Sequence, residues 1–193
     1  MKKKMKDQGR KFLSPLVDFL GWIGVSPTAV TISAIPLSIL AAVLFASGNF
    51  FWAGWVVMLI GLCDTIDGEL SRKTGRVTPA GAFVDSTVDR VSEGLTFAGI
   101  GLYYCPKDRW GLLATFSALI LSYLVSYTRA RAEGIGKKCQ VGLFERPVRV
   151  LVMVIGALIL GERLFLWSIV TIALGSLATF IHRVLFVLQQ SRR

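Results

Sequence analysis

The feature that most constrains this chain is a succession of long apolar stretches running from residue 28 to residue 188. A helix that crosses the hydrocarbon core needs about 20 predominantly apolar residues, because lipid offers no partner to an unpaired backbone amide. Six segments qualify, at about Thr28–Ala46, Phe51–Glu69, Pro79–Tyr103, Leu112–Ala132, Val148–Leu160 and Leu164–Leu188. The fifth is short. Helix-end chemistry marks the breaks: Ser26-Pro27-Thr28 opens the first, Ser47-Gly48-Asn49 closes it, and Thr78-Pro79 opens the third. The fold predicted is all-α, a polytopic membrane protein with six transmembrane helices. Ahead of them, Lys11–Ile23 carries Phe12, Leu13, Leu16, Val17, Leu20 and Trp22 at one-sided helical spacing, after a Lys/Arg run. This pattern predicts an amphipathic helix lying in the membrane interface. Residues 1–193 then form a single membrane domain, with 1–25 interfacial and 26–190 the six-helix bundle. No short apolar run with a small-residue cleavage site follows the basic Met1–Lys11 segment, so a cleavable secretion signal is not expected.

Composition agrees. The chain is 53% hydrophobic with a mean hydropathy of +0.61, too apolar for an ordinary soluble domain. Its net charge of +10 would suit a nucleic-acid binder only if the basic residues lay on one soluble face. They lie instead between apolar runs, which is a topology signal, and no nucleic-acid partner is expected. With the N-terminus inside, the cytoplasmic segments hold Lys2, Lys3, Lys4, Lys6, Arg10, Lys11, Arg72, Lys73, Arg76, Lys137, Lys138, Arg192 and Arg193; the other side holds Lys107, Arg109 and Arg163. The positive-inside bias predicts a multi-pass protein of the cell's inner membrane with both termini cytoplasmic. Cys63, Cys105 and Cys139 form no metal or redox spacing and read as packing residues, as does His182.

The second and third spans should be apolar, yet they carry Asp64, Asp67, Glu69, Asp85, Asp89, Arg90 and Glu93. Each ionised group at the bilayer centre costs at least about 2.5–3.5 kcal/mol, so such a cluster marks a functional site facing a polar cavity. Asp64 and Asp67 are three apart and Asp85 and Asp89 four apart, so each pair shares a helix face. Two antiparallel spans joined by a short loop can bring all four together at the cytoplasmic end. Packed carboxylates repel, and hard divalent cations remove that repulsion: Mg²⁺ or Mn²⁺ suits the oxygen ligands, and Ca²⁺ is a further option. Gly68 and Gly81 beside the acids either admit a ligand close to the backbone or serve helix packing.

Read as one string, the segment is Asp64-x-x-Asp67-Gly68-x-x-Ser71-Arg72, eight residues, then Gly81-x-x-x-Asp85-x-x-x-Asp89. It resembles the signature of the CDP-alcohol phosphotransferases, D-x2-D-G-x2-A-R-x8-G-x3-D-x3-D, with every spacing kept and Ser71 in place of the usual alanine. The resemblance implies a metal-dependent transferase of phospholipid biosynthesis that moves a phosphatidyl-type group from a CDP-lipid, such as CDP-diacylglycerol, to an alcohol and releases CMP. It implies two metal ions, one held by Asp64, Asp67 and Asp85 and one by Asp64, Asp85 and Asp89, with Asp89 also the catalytic base. Gly68, Ser71, Arg72, Thr78 and Gly81 fall at donor-binding positions. Ser26, Pro27, Thr28, Ala29 and Thr31 resemble a further turn that contacts the CDP-lipid. A homodimer surrounded by membrane lipid is also implied.

The second half adds arginines: Arg129 and Arg131 end the fourth span, Arg146 and Arg149 open the fifth, and Arg183 lies inside the sixth. Convergent arginines suit a phosphate on the acceptor. The runs Arg129-Ala130-Arg131-Ala132-Glu133 and Glu145-Arg146-Pro147-Val148-Arg149 resemble the phosphatidylinositol-phosphate and archaetidylinositol-phosphate synthases, which implies inositol phosphate as acceptor. Glycerol phosphate is the alternative; serine would not need so many arginines. Outside this chemistry, a divalent-cation transporter would also carry intramembrane acids, but along a path through the bilayer rather than at one end of two spans.

Overall fold

The structure is a computed structural model, and it describes residues 14–191. The basic Met1–Lys11 run, with Phe12, Leu13, Arg192 and Arg193, lies outside the described residues. The rest is helical, without a strand among the described residues. The elements are α1 (residues 14–22), α2 (Pro27–Ala46), α3 (Phe50–Lys73), α4 (Pro79–Tyr104), α5 (Arg109–Gly134), α6 (Arg146–Ile155) continued by a π-helical turn (Gly156–Leu160), and α7 (Gly161–Ser191).

The sequence dictates the ends. Pro27 and Pro79 occupy the first turns of α2 and α4, where a missing N–H costs nothing. Thr78 caps α4 by accepting the Gly81 N–H at 3.0 Å, and Asp108 caps α5 by accepting the Trp110 N–H at 2.9 Å. The chain reverses between the π-helical turn and α7 at Gly161, whose φ of +63° an L side chain rarely adopts. That reversal lays α6 and α7 against each other: Gly156 faces Phe165 and Ser168, and Phe144, just before α6, faces Gly175.

Four stretches are long and apolar enough to cross a membrane: Pro27–Ala46, Phe50–Lys73, Arg109–Gly134 and Arg146–Gln190, the last including the reversal at Gly161. Pro79–Tyr104 is not among them, and its first half carries Asp85, Asp89, Arg90 and Glu93. This is a multi-pass membrane architecture.

Helix α2 packs along both α3 and α4, while α5 packs on α7 and α6 on α3. Closeness is greatest where α4 crosses α2, because a Cβ on Gly99 would run into the backbone of Ala42. At the end remote from the acids, the rings of Phe45, Phe50, Tyr103 and Phe165 meet at centroid distances of 4.8–5.5 Å. The Tyr103 hydroxyl also donates to Glu162 there, tying α4 to α7. The core is thus dense at that end and opens towards the carboxylates. A separate small cluster docks α1 on α3 through Val17, Ile66 and Leu70. Lys73 reinforces it by donating to Asp18 at 2.6 Å and to Ser14 at 2.8 Å, and its hydrogen bond holds the Asp18 carboxyl below the usual carboxylate range. The opposite side of α1 exposes Phe19 and Trp22.

Candidate active site

Helices α3 and α4 do not pack along each other; α2 bridges them. The acids therefore meet across an open space rather than at a helix seam. Asp64, Asp67 and Asp85 each bring an oxygen within 4.8 Å of the other two. Oxygens on opposite sides of one Mg²⁺-sized ion are about 4.2 Å apart, given ligand distances of about 2.1 Å, so this trio fits a small hard cation. Asp67 is the most buried of the three, and it accepts a 2.7 Å hydrogen bond from the Thr31 hydroxyl. That hydroxyl also lies 3.1 Å from the Pro27 carbonyl, so the first turn of α2 fixes a ligand on α3.

Asp89 stands apart from the trio. Its Oδ1 takes the Arg146 Nη1 at 2.8 Å, and the same nitrogen lies 3.2 Å from Asp64 Oδ1. A guanidinium from α6 thus bridges the two carboxylates that the family resemblance assigns, with Asp85, to a second cation.

Two cavities open from the acids. The first, about 450 Å³, is lined by Ser26, Pro27, Thr28, Thr31, Asp67, Gly68, Ser71, Arg72, Thr78, Gly81 and Asp85, together with Arg76, Val77 and Ala82. Ala29 is exposed and does not line it. Its floor is backbone and small side chains. A Cβ at Gly81 would sit 3.1 Å from Thr78 Oγ1, and one at Gly68 would sit 3.4 Å from the Arg72 guanidinium, which folds back to pair with Glu69 at 2.8 Å. Ser71 turns its hydroxyl onto the Gly68 carbonyl at 3.2 Å. Arg72 and Arg76 give this wall its positive charge.

The second cavity, about 580 Å³, is lined by Asp64, Asp85, Asp89 and Arg90 from α3 and α4 and by Arg129, Arg146, Arg149 and Arg183 from α5 to α7. Arg131 is exposed and lines neither cavity: two positions apart on a helix, Arg129 and Arg131 face directions about 200° apart. Arg149 and Arg183 are each only 2% exposed. Arg149 donates Nε and Nη2 to the two oxygens of Glu93 at 2.8 and 3.1 Å, and Nη1 to the Phe144 carbonyl at 3.0 Å. Arg183 donates to the carbonyls of Val141 (2.8 Å) and Val125 (2.7 Å) and to Glu145 Oε1 at 3.1 Å. Arg129 pairs with Glu133 at 3.0 Å. Sequence reasoning noted Glu93 as an intramembrane acid but gave it no partner, and gave Glu145 no role. The periodicity held the clue for Glu93: it follows Asp89 by one turn, as Arg149 follows Arg146.

The cavities share Ala82 and Asp85. A group held in the first and a group held in the second would therefore meet at the carboxylates. This is the geometry for transfer between two anionic reactants.

Comparison with known proteins gives the same family. The sequence profile described as CDP-alcohol phosphatidyltransferase matches residues 24–188. The chain is 37% identical over 183 residues to the phosphatidylinositol phosphate synthase of Mycobacteroides abscessus, covering 90% of this chain and 82% of that one. It is 32% identical over 185 residues to the archaetidylinositol phosphate synthase of Methanothermobacter thermautotrophicus, covering 94% and 91%. Among solved structures, the Mycobacterium tuberculosis phosphatidylinositol phosphate synthase with CDP-DAG bound superposes with a TM-score of 0.84 at 31% identity, over 92% of this chain and 94% of that one. The same enzyme in complex with manganese and citrate gives 0.83 at 31% identity, over 90% and 87%.

Proposed function

This chain belongs to the CDP-alcohol phosphatidyltransferase family, and we propose that it transfers the phosphatidyl group of CDP-diacylglycerol to inositol phosphate with release of CMP. The observation that carries this reading is the pair of cavities sharing Asp85, one walled mainly by small residues and backbone with Arg72 and Arg76, the other by five arginines. The relatives named for inositol phosphate chemistry, and the relative seen with CDP-DAG, support the same acceptor and donor.

Asp64, Asp67 and Asp85 would hold one divalent ion, Mg²⁺ or Mn²⁺, and the relative that contains manganese favours this. A second ion at Asp64, Asp85 and Asp89 would take the position of the Arg146 guanidinium. Bound metal supplies neutralisation of the donor pyrophosphate and polarisation of the phosphorus under attack. The chain's own residues do the rest. Thr31 orients Asp67, and the glycines let the pyrophosphate approach the backbone of α3 and α4. Arg129, Arg149 and Arg183 hold the acceptor's phosphate in the second cavity. Asp89 takes the proton from the attacking hydroxyl. A P–O bond to the acceptor forms as the phosphoanhydride bond breaks, and Arg72 stabilises the charge on departing CMP.

The wider frame of this reading is a single domain over 1–193 with six spans. Pro79–Tyr104 is a fifth crossing whose Asp85 and Asp89 face the cavities, and the reversal at Gly161 divides 146–190 into two. Residues 14–22 belong to the interfacial helix. Lys and Arg favour the α3–α4 and α5–α6 connections, which suits an active site on the cytoplasmic side of the inner membrane. The enzyme would work as a homodimer in its lipid. Acids gathered at one end of the bundle give no path for a transported cation.

The test is CMP release by the purified protein with CDP-diacylglycerol and Mg²⁺, comparing inositol phosphate, glycerol phosphate, inositol and serine. Release with inositol phosphate alone is expected. Release with glycerol phosphate instead would keep the chemistry and replace the acceptor.

A further inference from the structure

Between α4 and α6 the charged side chains form two rungs. Asp89 meets Arg146 at 2.8 Å, and one turn further into the membrane Glu93 meets Arg149 at 2.8 and 3.1 Å. The first rung stands in the acceptor cavity. The second is more deeply buried, with Glu93 8% and Arg149 2% exposed. A buried ion pair gives little net stability by itself, so its retention inside a membrane helix asks for another reason.

Arginine has five N–H donors. Arg149 gives Nε and one Nη2 hydrogen to Glu93 and one Nη1 hydrogen to Phe144. One hydrogen remains on each Nη atom of a side chain that lines the acceptor cavity. A guanidinium recognises phosphate through a planar fork, so the tilt of its plane decides where a bound phosphate sits. Glu93 holds the Nε–Nη2 edge of that plane at two points. We infer that Glu93 is a positioning residue for the acceptor: through Arg149 it sets where the acceptor's phosphate rests, and so where the acceptor's hydroxyl lies relative to Asp89. Glu93 and Asp89 sit on one helix four residues apart, so the base and the phosphate anchor share a single rigid reference. The inference rests on the proposed phosphorylated acceptor.

The experiment is Glu93→Gln in the full-length protein, with CMP release measured against inositol phosphate and separately against CDP-diacylglycerol. The neutral amide turns an N–H towards a guanidinium hydrogen and loses one of the two contacts. The acceptor KM should rise at least about tenfold, the loss of roughly one charge-assisted hydrogen bond. The donor KM should stay within about twofold. Inorganic phosphate, competing with the acceptor, should inhibit correspondingly less well. Glu93→Asp keeps the charge but shortens the reach, and it should fall between wild type and Glu93→Gln; if the Gln variant does not accumulate in membranes, the Asp variant is read by the same split. Equal changes in both KM values, or unchanged phosphate inhibition, would overturn the inference and leave Glu93 a packing element. Wild-type protein that turns over no phosphorylated alcohol would overturn the proposed acceptor, and this inference with it.

Discussion

The walls of the two cavities are built in opposite ways. The donor wall comes from the start of α2 and from a single stretch, residues 67 to 85, that spans one loop. It uses glycine, small hydroxyls and two arginines, of which Arg72 is half exposed and pairs with Glu69. The acceptor wall draws its cations from four helices, α4 to α7, and its two most buried guanidinia already bind protein carbonyls and acids. The first wall offers backbone and space; the second offers charge that has been fixed in place. A pyrophosphate neutralised by metal needs room and close approach. A phosphate bound by protein alone needs donors whose orientation does not depend on the ligand.

The strongest way to break this division is at its boundary. Asp89 lines only the acceptor cavity and Asp85 lines both. Asp89→Asn should lower kcat by about 10²–10⁴, the usual worth of a positioned base, while CDP-diacylglycerol binding persists. Wild-type turnover would remove Asp89 from the chemistry. Lost donor binding would move it to the donor wall.

The different construction also explains what was legible in the sequence. Fixed gaps on two adjacent helices suffice to place Asp64, Asp67, Gly68, Gly81 and Asp85 on one site, because helical periodicity converts spacing into facing. Where proline marks the start, the helix bounds followed as well: Pro79–Tyr104 and Pro27–Ala46 lie within a residue of the bounds read from sequence, whereas α3 runs on to Lys73, four residues past the expected Glu69. The acceptor wall joins elements far apart in the chain, and no local spacing fixes how α5, α6 and α7 rotate about their axes. Arg129 and Arg131 looked equivalent in the sequence for that reason. Arg146 read as a phosphate ligand, whereas its nearest groups are Asp64 and Asp89. The separation of α3 from α4 by α2 was equally hidden, since a short loop suggests direct packing.

The next largest effect concerns the fixed charges. Arg183→Met keeps length and apolar stem but leaves the Val141 carbonyl without its donor and Glu145 without its cation, and strips the Val125 carbonyl of the guanidinium it holds in addition to its helical partner. Each buried acceptor left unpaired costs about 1–3 kcal/mol. The variant should therefore unfold at lower temperature in detergent and also show a raised acceptor KM with a steady donor KM. A donor-side counterpart is Thr31→Val, which removes the 2.7 Å hydrogen bond to Asp67 without changing shape. A hydrogen bond to a charged group is worth about 1.5–3 kcal/mol, so metal affinity should fall by roughly tenfold or more, read as a shift in the Mg²⁺ concentration for half-maximal activity. An acceptor KM that moved instead would show that the two walls are coupled more tightly than their construction implies.

The smallest effect sharpens the comparison most finely. Arg129 and Arg131 sit two residues apart at the end of α5, but only Arg129 lines the acceptor cavity, where it is held by Glu133 at 3.0 Å. Arg131 is exposed, in the last turn of a helix whose C-terminal dipole favours a cation wherever it points. Surface substitutions away from specific contacts change free energies by no more than about 0.5 kcal/mol. Arg131→Ala should then leave both KM values within about twofold of wild type, and Arg129→Ala should raise the acceptor KM several-fold beyond that. Measuring the two side by side separates a charge that serves topology from one that serves recognition. An acceptor KM that rose more for Arg131→Ala than for Arg129→Ala would mean that α5 is turned by about half a rotation in the working enzyme, and the acceptor wall would have to be rebuilt around the other face of that helix.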